Sequence, residues 1–431
     1  MERWDVVVIG GGLSAGAAAT RAAGQRATVL VVPGRTAGGR AATDERSGFR
    51  LNRGAHALYD RGPGRAVLER LGVPVPGAAP SLAQALGRRG DLVDRLPMGA
   101  ASAIRTRLCS LRDLAHLAKV LAGQRWWHPE DLADRTIDQW IDDDLGLTGG
   151  ARELFAMLIR LSGYVADHGV ISADVAATQL RIGSGGVTYV DGGWTTLVGG
   201  LFAAAEQSGA VLRPGVAAAV EPLAGGGAVV RMAGPAPGEV TANAVVLATG
   251  SPAAAASLLP EPPPAWADPG PVVAASCLDL GLAEVPPTPV LLGVDRPLYL
   301  IRHAPPAQLA PPGHAVVHVM QYRTADDPSG PAETRARLEE HVRVAGIDPG
   351  RAVVARYLHH MPVVTAAATP AGGGLAGRPG VTSSGLPGIL VAGDWVGPTG
   401  HLADAVLVSG DAAGAAAAAA ASRAPLVRPA A

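Results

Sequence analysis

The chain has 431 residues, a formal net charge of −1 and only two cysteines. That length allows two domains or one composite domain with a deep interior. Near-zero charge with no basic run argues against nucleic acid as a partner. Cys109 and Cys277, far apart, form neither a disulfide framework nor a metal-ligand spacing.

The first five residues, Met1-Glu2-Arg3-Trp4-Asp5, lack the basic region and cleavage site of a signal peptide, so a cytoplasmic protein is expected. No uninterrupted apolar stretch is long enough for an integral membrane span, and the alanine-rich tract 412–421 reads as helix. Residues 5–9 are a short apolar run, the signal of a parallel strand buried on both faces. Gly10-Gly11-Gly12 follows, then a small-residue helix over 14–23 and a second strand over 27–32. This β-glycine loop-α-β unit suits a dinucleotide, with Gly10 at the tight turn and Gly12 at the close approach to pyrophosphate. Ala15 takes the third position, where close helix–strand packing is required. The acidic residue that grips a ribose is missing: Val31 or Val32 stands there, so the ribose is held another way or more weakly.

Residues 80–180 turn helical, with apolar spacing of three and four over 111–121 and 154–161. A glycine-rich stretch, 183–198, leads into a helix over 197–207, a hairpin through Gly225-Gly226-Gly227 and an apolar strand over 244–248. Beyond the proline-rich connection 260–271, strands are expected at 289–292, 298–301, 315–320 and 353–358, with a helix over 333–345. A last buried strand, 389–392, precedes Gly393-Asp394 and a C-terminal helix. The order gives an α/β protein: a Rossmann-like cofactor domain from three segments (1–79, 183–259, 375–431). Insertions 80–182 (helical) and 260–374 (a sheet) form an α+β substrate domain.

Four stretches carry a family resemblance: Gly38-Gly39-Arg40 within 35–43, Gly54-Ala55-His56-Ala57-Leu58, Val246-Leu247-Ala248-Thr249-Gly250, and Ala392-Gly393-Asp394-Trp395 with Gly400-His401-Leu402-Ala403-Asp404-Ala405 downstream. The chain resembles the FAD-dependent amine oxidase and phytoene desaturase superfamily. The resemblance implies FAD bound by Gly10, Gly12, Leu13, Ser14, Ala15, Gly39 and Arg40. It adds Gly54, Ala55, His56, Ala218, Thr249 and Gly250, and from the C-terminal signature Gly393, Asp394, Leu402, Asp404 and Ala405. There Asp394 meets the ribityl chain, and backbone N–H groups of the last helix face the flavin N1–O2 edge.

Amine oxidases of that superfamily usually place a lysine near flavin N5. The only lysine here is Lys119, on an ordinary amphipathic helix, which favours the desaturase-like branch, taking hydride from a lipophilic or specialised metabolite. His56, Tyr164, Trp194, His359, His360, Trp395 and His401 are candidates for the substrate cavity. His56, His401, Trp194 and Tyr164 are the catalytic candidates, the two histidines as bases. Asp167-His168 is a weaker dyad, and Gln124-Arg125-Trp126-Trp127 reads as a lid, a membrane-touching patch or buried packing. No metal site is expected, and the electron acceptor is either oxygen or a redox partner. Two other readings stay open: an isomerase or cyclase with structural or lost FAD, and a binding protein on a relic fold.

Overall fold

The N-terminal apolar run forms β1 (Glu2–Ile9), flanked in parallel by β2 (Val29–Val32) and Gly238–Leu247, with Val6 in register with Val29 and Ala244. All of β2 and the last four residues of β1 are buried, as strands covered on both faces must be. The computed structural model describes residues 2–34, 38–82, 84–234 and 237–423. Arg35, Thr36 and Ala37 of the second motif lie outside them.

The first sheet runs Val211–Leu212, β2, β1, Gly238–Leu247, Ala228–Ala233, Val216–Pro222, with Ile389–Val391 joining Gly238–Leu247 in parallel. Three separated stretches of chain therefore build it. Over it, α1 (Leu13–Gly24) packs against the C-terminal helix Leu402–Arg423. The two backbones nearly touch: a Cβ on Gly410 would lie 2.5 Å from the Ser14 carbonyl oxygen, and one on Gly414 2.3 Å from that of Ala18. By length and composition Leu402–Arg423 could cross a membrane. In this fold its alanine face is buried in the core with α1 and the first sheet.

A second sheet runs Val354–Val364, Val273–Leu282, Ala315–Arg323, Leu298–Ala304, Val290–Gly293, Leu86–Arg89, Leu92–Arg95. Helix Pro331–Val344 covers one face through Leu338 and Val342, and the helices Gly149–Gly163 and Ala173–Gly183 cover the other. Two features differ from the sequence expectation. The segment 80–182 opens as a hairpin of this sheet, because Gly90 at φ 58° makes a tight turn that helical periodicity does not register. The strand Val273–Leu282, next to the edge strand and buried at all ten positions, carries Ser276 and Asp279 and so shows no plain apolar run.

The parallel strands end on one edge, at Gly10, Val32, Ala248 and Ala392. That edge is where open α/β sheets bind ligands.

Candidate functional site

Along this edge lies a cavity of about 1330 Å³, reaching from the glycine loop to the strand Val354–Val364 of the second sheet. Gly10 has φ 142°, and a Cβ there would sit 2.2 Å from the Ala248 carbonyl oxygen, so only glycine lets the ends of two strands meet. Gly12 starts α1 with no side-chain cap, and its missing Cβ has only the Gly38 carbonyl oxygen nearby, at 3.7 Å. The first-turn N–H groups of α1 thus border open space beside Leu13 and Ser14, an anion site by construction. Ala15 stays behind the loop, fully buried, in the packing position.

Gly39 and Arg40 line the cavity, as do Thr249, Gly250 and Asp394. Arg40 and Asp394 hold each other: two guanidinium N–H groups donate to the two carboxylate oxygens at 2.8 and 2.7 Å. Thr365 adds donations from its backbone N–H and its hydroxyl. The guanidinium and these hydrogen bonds hold the Asp394 carboxyl below its ordinary range despite complete burial.

His56, Tyr164 and Trp194 line the same cavity with Ala55. The Gly54 carbonyl accepts from His56 Nδ1 at 2.9 Å, so Nδ1 carries the proton and Nε2 keeps a lone pair. Burial pushes His56 down to about 4, which leaves it neutral at pH 7. Trp194 lies edge-on to it at 4.7 Å. Tyr164, in the left-handed conformation that ends helix Gly149–Gly163, donates its hydroxyl to the Ala55 carbonyl at 3.1 Å. Leu402 and Asp404 line the cavity, and burial raises Asp404 to about 6 while one of its oxygens accepts from Gly64 N–H.

Other expected residues lie elsewhere. His401 is fully enclosed, with Nε2 on the Gly163 carbonyl at 3.1 Å, and does not line the cavity, which removes it as a base. Trp395 is buried against Trp266. Gly54, Gly393 and Ala405 back the wall, and Ala218 is displaced by its neighbours Val216 and Ala217, which do line it. Asp167 accepts from Ala325 N–H while the His168 ring turns to the Val165 carbonyl, so the two make no dyad. Trp126 is exposed and Trp127 packs on Trp140 and Phe155.

The residues present fit a flavin dinucleotide. An uncapped helix N-terminus awaits a pyrophosphate, and two buried polar atoms of the lining, Trp194 Nε1 and Asp404 Oδ2, have no partner among the described residues. Val32, fully buried on the lining, offers nothing to a ribose. A model of NAD(P)-binding Rossmann-like domains matches residues 8–71. Curated sequences give no significant match. Among solved structures, putrescine oxidase bound to putrescine is 15% identical, with a TM-score of 0.72 over 97% of this chain and 99% of that one. Cyclohexylamine oxidase from Brevibacterium oxydans IH-35A is 18% identical, with a TM-score of 0.72 over 97% and 100%. An oxidoreductase from Methanosarcina mazei is 18% identical, with a TM-score of 0.69 over 94% and 99%. The chain has the amine-oxidase fold.

Within the amine-oxidase fold, this chain brings no lysine to the cavity: Lys119, its only one, is exposed on helix Leu111–Ala122. Sequence reasoning missed several polar residues of the lining, among them Asp44, Arg46, Arg53 and Arg356. Asp44 and Arg46 lie on β3 (Thr43–Arg46), and Arg53 follows β4 (Phe49–Asn52), a hairpin with no motif to mark it. Arg356 ties Asp44 (2.6 Å) to Asp279 (2.5 Å), which also accepts from Cys277 and meets His318 Nδ1 at 2.5 Å. Arg356 already neutralises that carboxylate, so Cys277, Asp279 and His318 form a hydrogen-bonded core network and not a cation site.

Proposed function

We propose that the protein is a FAD-dependent oxidoreductase that takes hydride from a carbon centre of a lipophilic metabolite. The observation that carries this reading is one continuous cavity joining the uncapped N-terminus of α1 to the His56–Tyr164–Trp194 corner. FAD supplies the hydride acceptor when bound there. The N–H groups at Gly12, Leu13 and Ser14 would hold its pyrophosphate, and Arg40 stands within the same lining. His56 Nε2, unprotonated at neutral pH, can take a proton from a substrate carbon or heteroatom. Trp194 and Tyr164 fix the His56 segment and exclude water.

The missing lysine favours desaturase-like chemistry over amine oxidation. A non-redox isomerase or cyclase with weakly held FAD is the second reading, favoured by Val32 at the ribose position. An absorbance spectrum before and after adding FAD tests the first. A yellow protein, bleached by substrate without oxygen, is expected; a protein that takes up no FAD defeats the proposal.

A further inference from the structure

The charges that line the cavity are unevenly spoken for. Both oxygens of Asp394 are taken by Arg40 and Thr365. Asp44 is held by Arg356 at 2.6 Å. Asp404 turns one oxygen to the backbone of α2 (Pro63–Arg70) at Gly64. The lining thus keeps one buried carboxylate oxygen without a partner among the described residues, Asp404 Oδ2, beside the backbone of α2.

The cations are not all matched. Arg46 and Arg53 line the cavity, and neither guanidinium has a hydrogen-bond or ion-pair partner among the described residues. Arg53 is half-buried, and its guanidinium stays open to the cavity, free to meet an acceptor there. Its backbone N–H meets the Ala42 carbonyl, so it extends the β3–β4 ladder by one pair, directly before Gly54. Arg46 stands at the other end of that ladder, ~13 Å away at the usual strand rise, and is exposed. One cation is therefore inside, beside the His56 segment, and one is at the rim, where it can draw anions in.

We infer that the cavity takes an anionic substrate, an apolar molecule carrying a carboxylate whose anchor is Arg53. Two anions could reach this arginine, the cofactor's phosphates and a substrate acid. The phosphates have their own cradle at Gly12–Ser14, whereas Arg53 directly precedes the Gly54–His56 segment of the lining. This inference rests on the flavin reading for its role in turnover, and it runs against the amine substrate named for putrescine oxidase.

The test uses the full-length protein loaded with FAD. Uptake of FAD is scored by visible absorbance, and binding of benzoate, benzylamine and benzyl alcohol is then measured by calorimetry. Benzoate is expected to bind about 10-fold or more tightly than the other two, the scale of one charge-assisted contact. Arg53→Ala should abolish that preference with FAD uptake unchanged, and Arg53→Lys should keep part of it. Equal or tighter binding of benzylamine, or a preference that survives Arg53→Ala, overturns the inference. Loss of FAD in step with benzoate also overturns it, since Arg53 then serves the cofactor. A protein that takes up no FAD yet binds benzoate through Arg53 defeats the flavin reading and upholds the anion site.

Discussion

Gly10 and Gly12 stand two residues apart in one loop, yet enlarging each should do different things. At Gly10 a methyl group must sit 2.2 Å from the Ala248 carbonyl oxygen on a backbone at φ 142°, so the strand ends themselves have to part. At Gly12 the backbone is extended (φ −100°) and the nearest atom is 3.7 Å away, so the methyl enters the cavity and not the core. Gly10→Ala is expected to lower stability by about 1–3 kcal/mol, the range for overpacking against atoms that cannot yield. Gly12→Ala should stay within about 0.5 kcal/mol of the parent, as a change facing open space does, and weaken FAD uptake by about 10-fold. Urea unfolding and a FAD titration on both variants check this. If Gly12→Ala unfolds as early as Gly10→Ala, the glycine serves packing and not cofactor approach.

The contact between α1 and Leu402–Arg423 depends on glycines in the same way, at the scale of an element. Gly414 lies with Ala413, Ala417 and Ala421 on the buried side of the C-terminal helix, and its missing Cβ would reach 2.3 Å from the Ala18 carbonyl oxygen. Gly414→Ala should cost about 1–3 kcal/mol although alanine is the better helix former, because packing outweighs a propensity gain of about 1 kcal/mol. Ala412→Ser, on the exposed side, is the control, and equal denaturation midpoints for the two would refute the packing argument. Elements of this kind were legible in the sequence wherever one strong periodic or punctuation signal sat on one element. The strand, glycine loop and helix at the N-terminus, the strand before Thr249-Gly250 and the strand before Gly393-Asp394 all end at the cavity edge as read. What was not legible is decided by pairing across long separations. Val273–Leu282 hides behind Ser276 and Asp279 because His318 and Arg356, on neighbouring strands, satisfy the buried carboxylate. His401 follows a glycine next to cavity residues, but its ring is claimed by Gly163, far away in the chain. Arg53 bears no motif, and only the hairpin it extends brings it to the lining.

For the molecule as a whole, the buried histidines set the response to acid. His56, His168, His341 and His401 are each pushed by burial from 6.5 to about 4. Each has a ring nitrogen on a backbone carbonyl, at Gly54, Val165, Leu291 and Gly163, and these contacts tie distant parts of the chain together in two cases. The folded values lie below the unfolded one, so below pH 6.5 the unfolded chain binds more protons than the folded one. The stability that neutral burial provides is complete above pH 6.5 and is lost as pH falls from there towards 4. Each imidazole contributes a slope of up to about 1.4 kcal/mol per pH unit in that window. Asp404 works the other way, since its value is raised to about 6 and protonation on the way down favours the folded state, but with His303, which burial lowers as well, one carboxyl opposes five imidazoles. Thermal unfolding should therefore give its highest midpoint near pH 7 and a steadily lower one at pH 6 and pH 5. His401→Gln, which keeps a donor for the Gly163 carbonyl and removes the titrating ring, should flatten that decline by roughly a fifth. A midpoint unchanged between pH 7 and pH 5 would mean that water reaches these rings and that the core around them is open.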